Sequence, residues 1–392
     1  MRILVLAPQP FFTVRGTPIA VRLLLEALAA RGHQLDVLIF ADGEDIEIEG
    51  CTFTRIPALP GLRGVRPGFS LKKAICDVVM AKMAAWKLLR HRYDVIHAVE
   101  EAAWIARRLK TLFRVPYVYD LDSSIPAQIA EKYALPGWAD RFLKGEERRA
   151  LQASVAALCC CPALEAIARE QAPDLPVRTL EDISLLDGAL VPQEAPDEIP
   201  GDVPQDDPVV MYVGNLEHYQ GVGLLFDAFA IAVARRPMRL VVIGGSEADL
   251  AGYRARAEAL GIGKRVHLLG PRPIQRLASY LSAASVVVSP RLVGINTPMK
   301  VYSYLDSGRP LLATDLPTHT QVLDSSFCHL VAPTPEAMAD SLVALVENPE
   351  LSARLAEAAR ARVRRDFSQS AFVRKLAEFY ETDVLPRLGK RG

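Results

Sequence analysis

The 392-residue chain carries no net charge, because 46 Lys and Arg face 46 Asp and Glu. That balance argues against a general nucleic-acid binder, which shows a basic excess, and no nucleic-acid partner is expected. Long apolar runs are missing too. The best candidate for a membrane span, Ala74 to Leu89, is broken by Asp77, Lys82 and Lys87. No secretory leader is expected: Met1 runs into Arg-Ile-Leu-Val-Leu-Ala, too short for an apolar leader core, and Pro8 and Pro10 interrupt it. The six cysteines have neither metal-ligand nor secreted-framework spacing. Cys159, Cys160 and Cys161 are adjacent, so their side chains alternate across a strand instead of converging. They read as small apolar fillers in a reducing compartment, and the expected location is the cytoplasm. A G-x-G-x-x-G run is absent, which argues against a dehydrogenase, and no solenoid period recurs.

What is present is alternation. Arg2–Ala7 is a short apolar strand run of the kind buried in a parallel sheet. A loop rich in Pro and Phe follows, then Pro18 opens a helix with Val21, Leu24, Leu25, Leu28 and Ala29 on one face. Gly32 ends it, and Gln34 to Phe40 makes the next strand. Strand and helix keep alternating to about residue 190, the signature of a doubly wound α/β domain. Between 191 and 208, Pro192, Pro196, Pro200, Pro204 and Pro208 recur among acidic residues, and this stretch reads as a linker. The pattern restarts with Val209 to Val213 and runs to about Asp366. The expected architecture is therefore two doubly wound domains, 1–190 and 209–366, each binding ligands at the carboxyl ends of its strands. Beyond them, Phe372, Leu376, Phe379 and Tyr380 recur at helical spacing in 367–392.

The most informative stretch is Ser289 to Thr314, SPRLVGINTPMKVYSYLDSGRPLLAT. A strand ends at Ser289-Pro290, a loop carries Arg291, Gly294, Asn296 and Thr297, and a helix is expected from Pro298. A helix start presents unpaired N–H groups, which suit a diphosphate. Lys300 stands in the first turn, where a cation is unfavourable for the helix itself and better explained by a nearby anion.

This stretch resembles the donor-binding segment of the family-4 glycosyltransferases, enzymes of the GT-B fold with two facing Rossmann-like domains. Further pieces run along the chain in the family's order. Arg15-Gly16-Thr17-Pro18 resembles its glycine loop, and Tyr93-Asp-Val-Ile-His97 its fourth-strand motif. Tyr212-Val-Gly-Asn215 with Gly221-Val222 resembles the opening of its second domain. Val241-Val-Ile-Gly-Gly245, Leu260-Gly-Ile and Val266-His-Leu-Leu-Gly270 resemble the middle of that domain. The resemblance implies a metal-independent, retaining transfer from a UDP- or GDP-linked sugar onto a lipid, glycan or small-molecule acceptor. It implies no further cofactor and no metal, and a C-terminal helix that returns to the first domain. The donor-binding candidates are Gly16, Thr17, Asn215, Gly245, Arg291, Asn296, Thr297, Lys300 and Ser303.

Departures from the family pattern fall on donor-binding positions. Asn215 and Gln220 stand where members carry an arginine and a lysine, Ile295 and Ser303 where they carry paired glutamates, and Val99 where a histidine is common. Three readings fit: an active enzyme in which Arg291 and Lys300 replace the missing cations and Ser303 meets the ribose, an enzyme for a less charged donor, or a non-catalytic partner subunit. A GT-B epimerase of nucleotide sugars is a further alternative.

On the acceptor side, Glu100, Glu101, Asp120 and Asp122 gather at the ends of two strands, where carboxylates can hydrogen-bond sugar hydroxyls or help deprotonate an acceptor. Glu100, Asp122 and His97 are the catalytic candidates. Asp122-Ser123-Ser124 reads equally as a helix cap, and His97 as a satisfied core histidine. Finally, Arg63, Arg66, Lys72, Lys73, Lys82, Lys87, Arg90 and Arg92 oppose the single acid Asp77 and alternate with Phe69, Leu71, Ile75, Val78, Val79, Met83, Trp86 and Leu89. Such a stretch suits the anionic inner surface of a membrane, or is a solvated helix face.

Overall fold

The computed structural model describes residues 1–13, 16–58, 64, 70–132, 135–187 and 201–389. Arg15, Arg63, Arg66, Phe69 and residues 191–200 of the proline-rich stretch lie outside them. The chain forms two compact units, Met1–Glu181 with Phe372–Gly392, and Asp182–Ala371.

The first unit is built on seven parallel strands: β1 (Arg2–Ala7), β2 (Gln34–Ile39), β3 (Cys51–Arg55), β4 (Val95–Val99), β5 (Tyr117–Leu121), β6 (Ala156–Cys159) and β7 (Val177–Thr179). Their order is β3-β2-β1-β4-β5-β6-β7, so the winding reverses between β1 and β4. β1, β4 and β5 are buried on nearly every residue, which is why they read as unbroken apolar runs. The helix after β1 spans Gly16–Ala30 and begins two residues ahead of Pro18. Pro18 is tolerated there because first-turn N–H groups have no intrahelical partner.

The second unit has six parallel strands: β8 (Val209–Val213), β9 (Arg239–Ile243), β10 (Val266–Gly270), β11 (Val286–Ser289), β12 (Leu311–Thr314) and β13 (His329–Val331). The order β10-β9-β8-β11-β12-β13 reverses between β8 and β11. Phe226, Phe229, Leu240, Val242, Leu312, Met338 and Leu342 belong to its core. Residues 201–208 are tied to this unit. Asp202 accepts hydrogen bonds from Arg272 (2.9 Å) and Tyr280 (3.1 Å), and Asp207 pairs with Arg265.

The end of the chain packs on the first unit. Phe372, Leu376, Phe379 and Tyr380 are all buried, and the helix Gln369–Phe379 runs into a π-helical turn, Tyr380–Val384. Arg178 in β7 binds Glu378 (2.8 Å) and Asp383 (2.5 Å), and Lys375 binds Glu181 (2.7 Å). Each buried large apolar side chain contributes about 1.5–3 kcal/mol, so apolar burial outweighs these partly exposed ion pairs in holding the helix.

Candidate active-site residues in the two units

In the second unit the strand order reverses at the carboxyl ends of β8 and β11, where doubly wound sheets bind ligands. Lys300 is the first residue of a short helix, Lys300–Asp306, following the loop after β11. With seven residues that helix has little dipole, so the positive charge here belongs to the lysine. Its Nζ donates to the hydroxyl of Tyr212 at 2.7 Å and lies 4.0 Å from the centre of that ring. The Tyr212 hydroxyl in turn donates to the Asn215 carbonyl at 2.6 Å. Among the described residues no carboxylate pairs with Lys300. Lys300 as a whole is half-buried, with its ammonium densely surrounded by protein. Burial first, and Arg291 second, pull its pKa well below the usual lysine value.

Glycines make room for this lysine. A Cβ on Gly214 (φ +155°) would sit 2.7 Å from Lys300 Nζ. Gly245 (φ +84°) leaves no space either, since a Cβ there would meet Leu216 at 2.4 Å. Gly214 thus leaves its backbone uncovered beside the lysine, where a side chain would displace the ammonium.

Around Lys300, the Thr297 side chain is 7% exposed and its Oγ1 has no hydrogen-bond partner. Arg291 donates Nε–H to the Val293 carbonyl at 2.8 Å, and its guanidinium lies over the Tyr219 ring at 5.2 Å. The Asn296 carbonyl accepts from Thr318 at 2.7 Å. Asn215 is exposed, with Nδ2 3.4 Å from the Tyr219 hydroxyl, and the buried Gln220 leaves its Oε1 without a partner. The structure therefore brings Lys300, Arg291, Asn215 and Thr297 to one end of the sheet. Ser303 is 2% exposed and its Oγ accepts the Leu185 N–H at 3.0 Å, which ties down the segment leading into this unit. Gly16 and Thr17 belong to the first unit. Gly16 is exposed, with nothing within 4 Å of where its Cβ would stand.

In the first unit Glu100 follows β4 with φ +49°, a left-handed conformation that a glutamate adopts at a cost. Ser123 donates to its Oε1 at 2.8 Å, and Lys73 stands 3.6 Å from Oε2. Lys73 also pairs with Glu101 at 2.6 Å. Burial disfavours the Lys73 charge, yet Glu100 and Glu101 hold its pKa above the ordinary value. Burial pushes the Asp77 and Glu101 carboxyls up, against the pull of Lys73. Asp122 is half-buried, and its carbonyl accepts from Cys160 Sγ at 3.2 Å. The side chain at the start of helix Ile125–Lys132 is Ser124, whose Oγ lies 3.5 Å from the Ala127 N–H and donates to Glu147 at 3.0 Å. His97 is wholly buried. Its Nδ1 is 2.7 Å from the Tyr380 hydroxyl and its Nε2 3.1 Å from Asp120 Oδ2, so neither ring nitrogen is open to a substrate.

Tyr212, Tyr380, Lys73 and His319 were not legible as site residues in the sequence. Tyr212 and Lys300 are 88 residues apart and Tyr380 and His97 are 283 apart, and no spacing rule reaches that far. Among the described residues, no group of three or more His, Cys, Asp or Glu is placed to hold a metal ion.

Two Rossmann-like units in tandem are the architecture of the GT-B fold. Comparison with known proteins agrees. Residues 15–180 match the family described as "Glycosyl transferase 4-like domain" and residues 196–362 match "Glycosyl transferases group 1". A D-inositol 3-phosphate glycosyltransferase of Corynebacterium glutamicum is 29% identical over 45% of this chain and 44% of its own length. A phosphatidyl-myo-inositol mannosyltransferase of Mycobacterium tuberculosis is 29% identical over 44% of this chain and 47% of its own. The matched part thus spans less than half the length of these two relatives. An α-D-kanosaminyltransferase of Streptomyces kanamyceticus is 25% identical over 92% of this chain and 98% of its own. Among solved structures, sucrose-phosphate synthase from Thermosynechococcus elongatus shares the fold with TM-score 0.77 and 21% identity over 97% of this chain and 98% of its own. Anabaena HepE in complex with UDP does so with TM-score 0.73 and 17% identity, over 97% and 100%. Between them the two family models cover most of the chain, which is a member of the GT-B glycosyltransferase superfamily.

Proposed function

We propose that this family-4-like transferase is catalytically active with relocated cations: Lys300 and Arg291 hold the donor diphosphate in place of the groups missing at Asn215 and Gln220. The observation that carries this reading is the enclosed Lys300 ammonium without a carboxylate. An unpaired buried charge is costly, and a diphosphate would relieve that cost. Thr297 offers a hydroxyl, Asn215 an amide and Gly245 a backbone approach. Ser303 meets the ribose through its O–H, the direction that Leu185 leaves available. In the transfer, the bond from the anomeric carbon to the diphosphate oxygen breaks and a bond to the acceptor oxygen forms. The diphosphate leaves with the electron pair, and the acceptor hydroxyl gives its proton to the departing diphosphate oxygen. Lys300 and Arg291 stabilise the charge growing on the leaving group. Glu100, Asp122 and Asp120, the last held by His97, bind and orient the acceptor. Retention of configuration, UDP or GDP as nucleotide, and metal independence follow the resemblance to family 4.

The test is a thermal-shift screen with UDP, GDP and their sugar conjugates, in which ligand at 100 to 1,000 times its dissociation constant adds about 3–4 kcal/mol of stability. Release of nucleoside diphosphate in the presence of acceptor then separates the readings. Binding without turnover supports the partner-subunit reading, and an altered sugar nucleotide without acceptor supports the epimerase. No binding at all removes the donor reading.

One observation favours membrane association. Of the ten large hydrophobic residues exposed in the described structure, seven lie on three helices of the first unit: Leu71–Arg90, Ala102–Phe113 and Gly137–Ala153. The middle helix packs against both others. Trp86 (51% exposed) and Leu89 (74%) stand among exposed Lys72, Lys82, Arg90 and Arg92, whereas Lys73 and Lys87 turn inward. We assign this surface to an anionic lipid headgroup layer. No described helix is long and apolar enough to cross a membrane.

A further inference from the structure

Three carbonyl oxygens of the loop after β11 are anchored by one other segment of the chain. Thr314, the last residue of β12, donates its hydroxyl to the Arg291 carbonyl at 2.6 Å. Thr318 donates to the Asn296 carbonyl at 2.7 Å, and Gln321 Nε2 to the Ile295 carbonyl at 2.9 Å. Three carbonyls within six residues of loop are thus held by the segment 314–321. That segment is itself fastened by His319. Its Nδ1 lies 3.0 Å from the Thr314 carbonyl, which only accepts, so Nδ1 carries the proton. Its Nε2 then accepts the hydroxyl of Ser289, at 2.8 Å, the last residue of β11. Ser289, Thr314 and His319 are all fully buried, and burial pulls His319 down to about 4, so the imidazole is neutral at ordinary pH. The loop turns at Gly294 (φ +127°), where a Cβ would collide with the Arg291 guanidinium at 2.2 Å.

We infer that Thr314, Thr318 and Gln321, fastened by His319, form a template that positions the donor loop, and that His319 is a positioning residue for diphosphate binding. The inference rests on the donor reading above. Peptide groups whose oxygens are drawn to one side turn their N–H bonds away from it. Anchoring Arg291, Ile295 and Asn296 therefore sets in advance the path of the loop that carries Arg291 and Thr297, and so removes ordering cost from donor binding. His319 touches no donor atom in this scheme and acts only through the loop.

Two measurements test it on the full chain. In hydrogen exchange of the ligand-free protein, Thr314→Val, Thr318→Val and His319→Asn should each speed exchange across residues 291–297 about tenfold or more, with β8 and β9 unchanged. In titrations with UDP and GDP, the same variants should weaken binding of whichever nucleotide the parent takes by about tenfold, while uridine or guanosine binds as before. Ser341→Ala serves as control. It removes the Ser341–His329 contact (3.1 Å) elsewhere in the same unit and should alter neither readout. Unchanged loop exchange in all three variants overturns the template, as does an equal shift with Ser341→Ala. Faster exchange with unchanged diphosphate affinity overturns the role in binding. If the parent binds neither nucleotide, the donor reading falls, and the exchange measurement still decides whether the loop is clamped.

Discussion

The ammonium of Lys300 rests against Tyr212, 2.7 Å from its hydroxyl and 4.0 Å from its ring centre, with no acidic partner among the described residues. A charge so placed weakens the free protein and strengthens the complex with an anion. Lys300→Met should therefore raise the unfolding midpoint of the ligand-free protein while weakening nucleoside diphosphate binding. Loss of one charged hydrogen bond costs about 1.5–3 kcal/mol, roughly tenfold to a hundredfold in affinity. Arg291→Ala should weaken the diphosphate too, and neither change should affect the free nucleoside. Donor binding as tight as the parent's in both variants would show that these cations do not hold the diphosphate.

Binding should also take up a proton. Burial and Arg291 depress the Lys300 pKa in the free protein, and a diphosphate alongside would raise it. At a pH between those two values the lysine is neutral when free and charged when bound. Affinity then falls as pH rises through that window. Calorimetric titration in buffers of different ionisation heat measures the uptake. Lys300→Met should lose it, leaving only protons taken by the nucleotide itself.

His319 makes stability depend on pH with a definite sign. Its folded pKa is about 4 against 6.5 for a free histidine. Above 6.5 neither state binds the proton. Between 6.5 and 4 the unfolded chain binds it and the folded one does not, so acidification removes stability, by about 3 kcal/mol in all. Denaturant unfolding at pH 7 and pH 4.5 should show a steeper loss for the parent than for His319→Asn. Equal losses would mean that the ring is not held neutral.

Tyr380→Phe should destabilise the protein by about 1–3 kcal/mol, because His97 Nδ1 would remain buried without its partner. Nucleotide binding, proposed above for the second unit, should be unchanged. A midpoint within a few tenths of a kcal/mol of the parent would show that the pair adds no stability.

For the lipid surface, the protein should sediment with anionic vesicles, stay free with neutral ones, and be released by salt. Trp86→Ala combined with Leu89→Ala should weaken that binding without lowering thermal stability, since both side chains are largely exposed. Identical sedimentation with both vesicle types would leave these helices as an ordinary solvated face.

The sequence by itself determined the two α/β units, because buried parallel strands such as β1, β4 and β11 must be continuous apolar runs and the crossover helices show their period. Edge and short strands were less legible. β3, Cys-Thr-Phe-Thr-Arg, has only two apolar residues and no strand was expected there, nor at the three-residue β7 and β13. Loop glycines and Lys300 stood out locally, since a cation at a helix start and a bare backbone are visible in a few residues. Only the tertiary structure decided which partners these groups meet. Tyr212 beneath Lys300, Tyr380 on His97, Leu185 on Ser303 and the His319 template all join separate elements of the chain. Their contacts depend on sheet order and side-chain direction, and neither leaves a period in the chain.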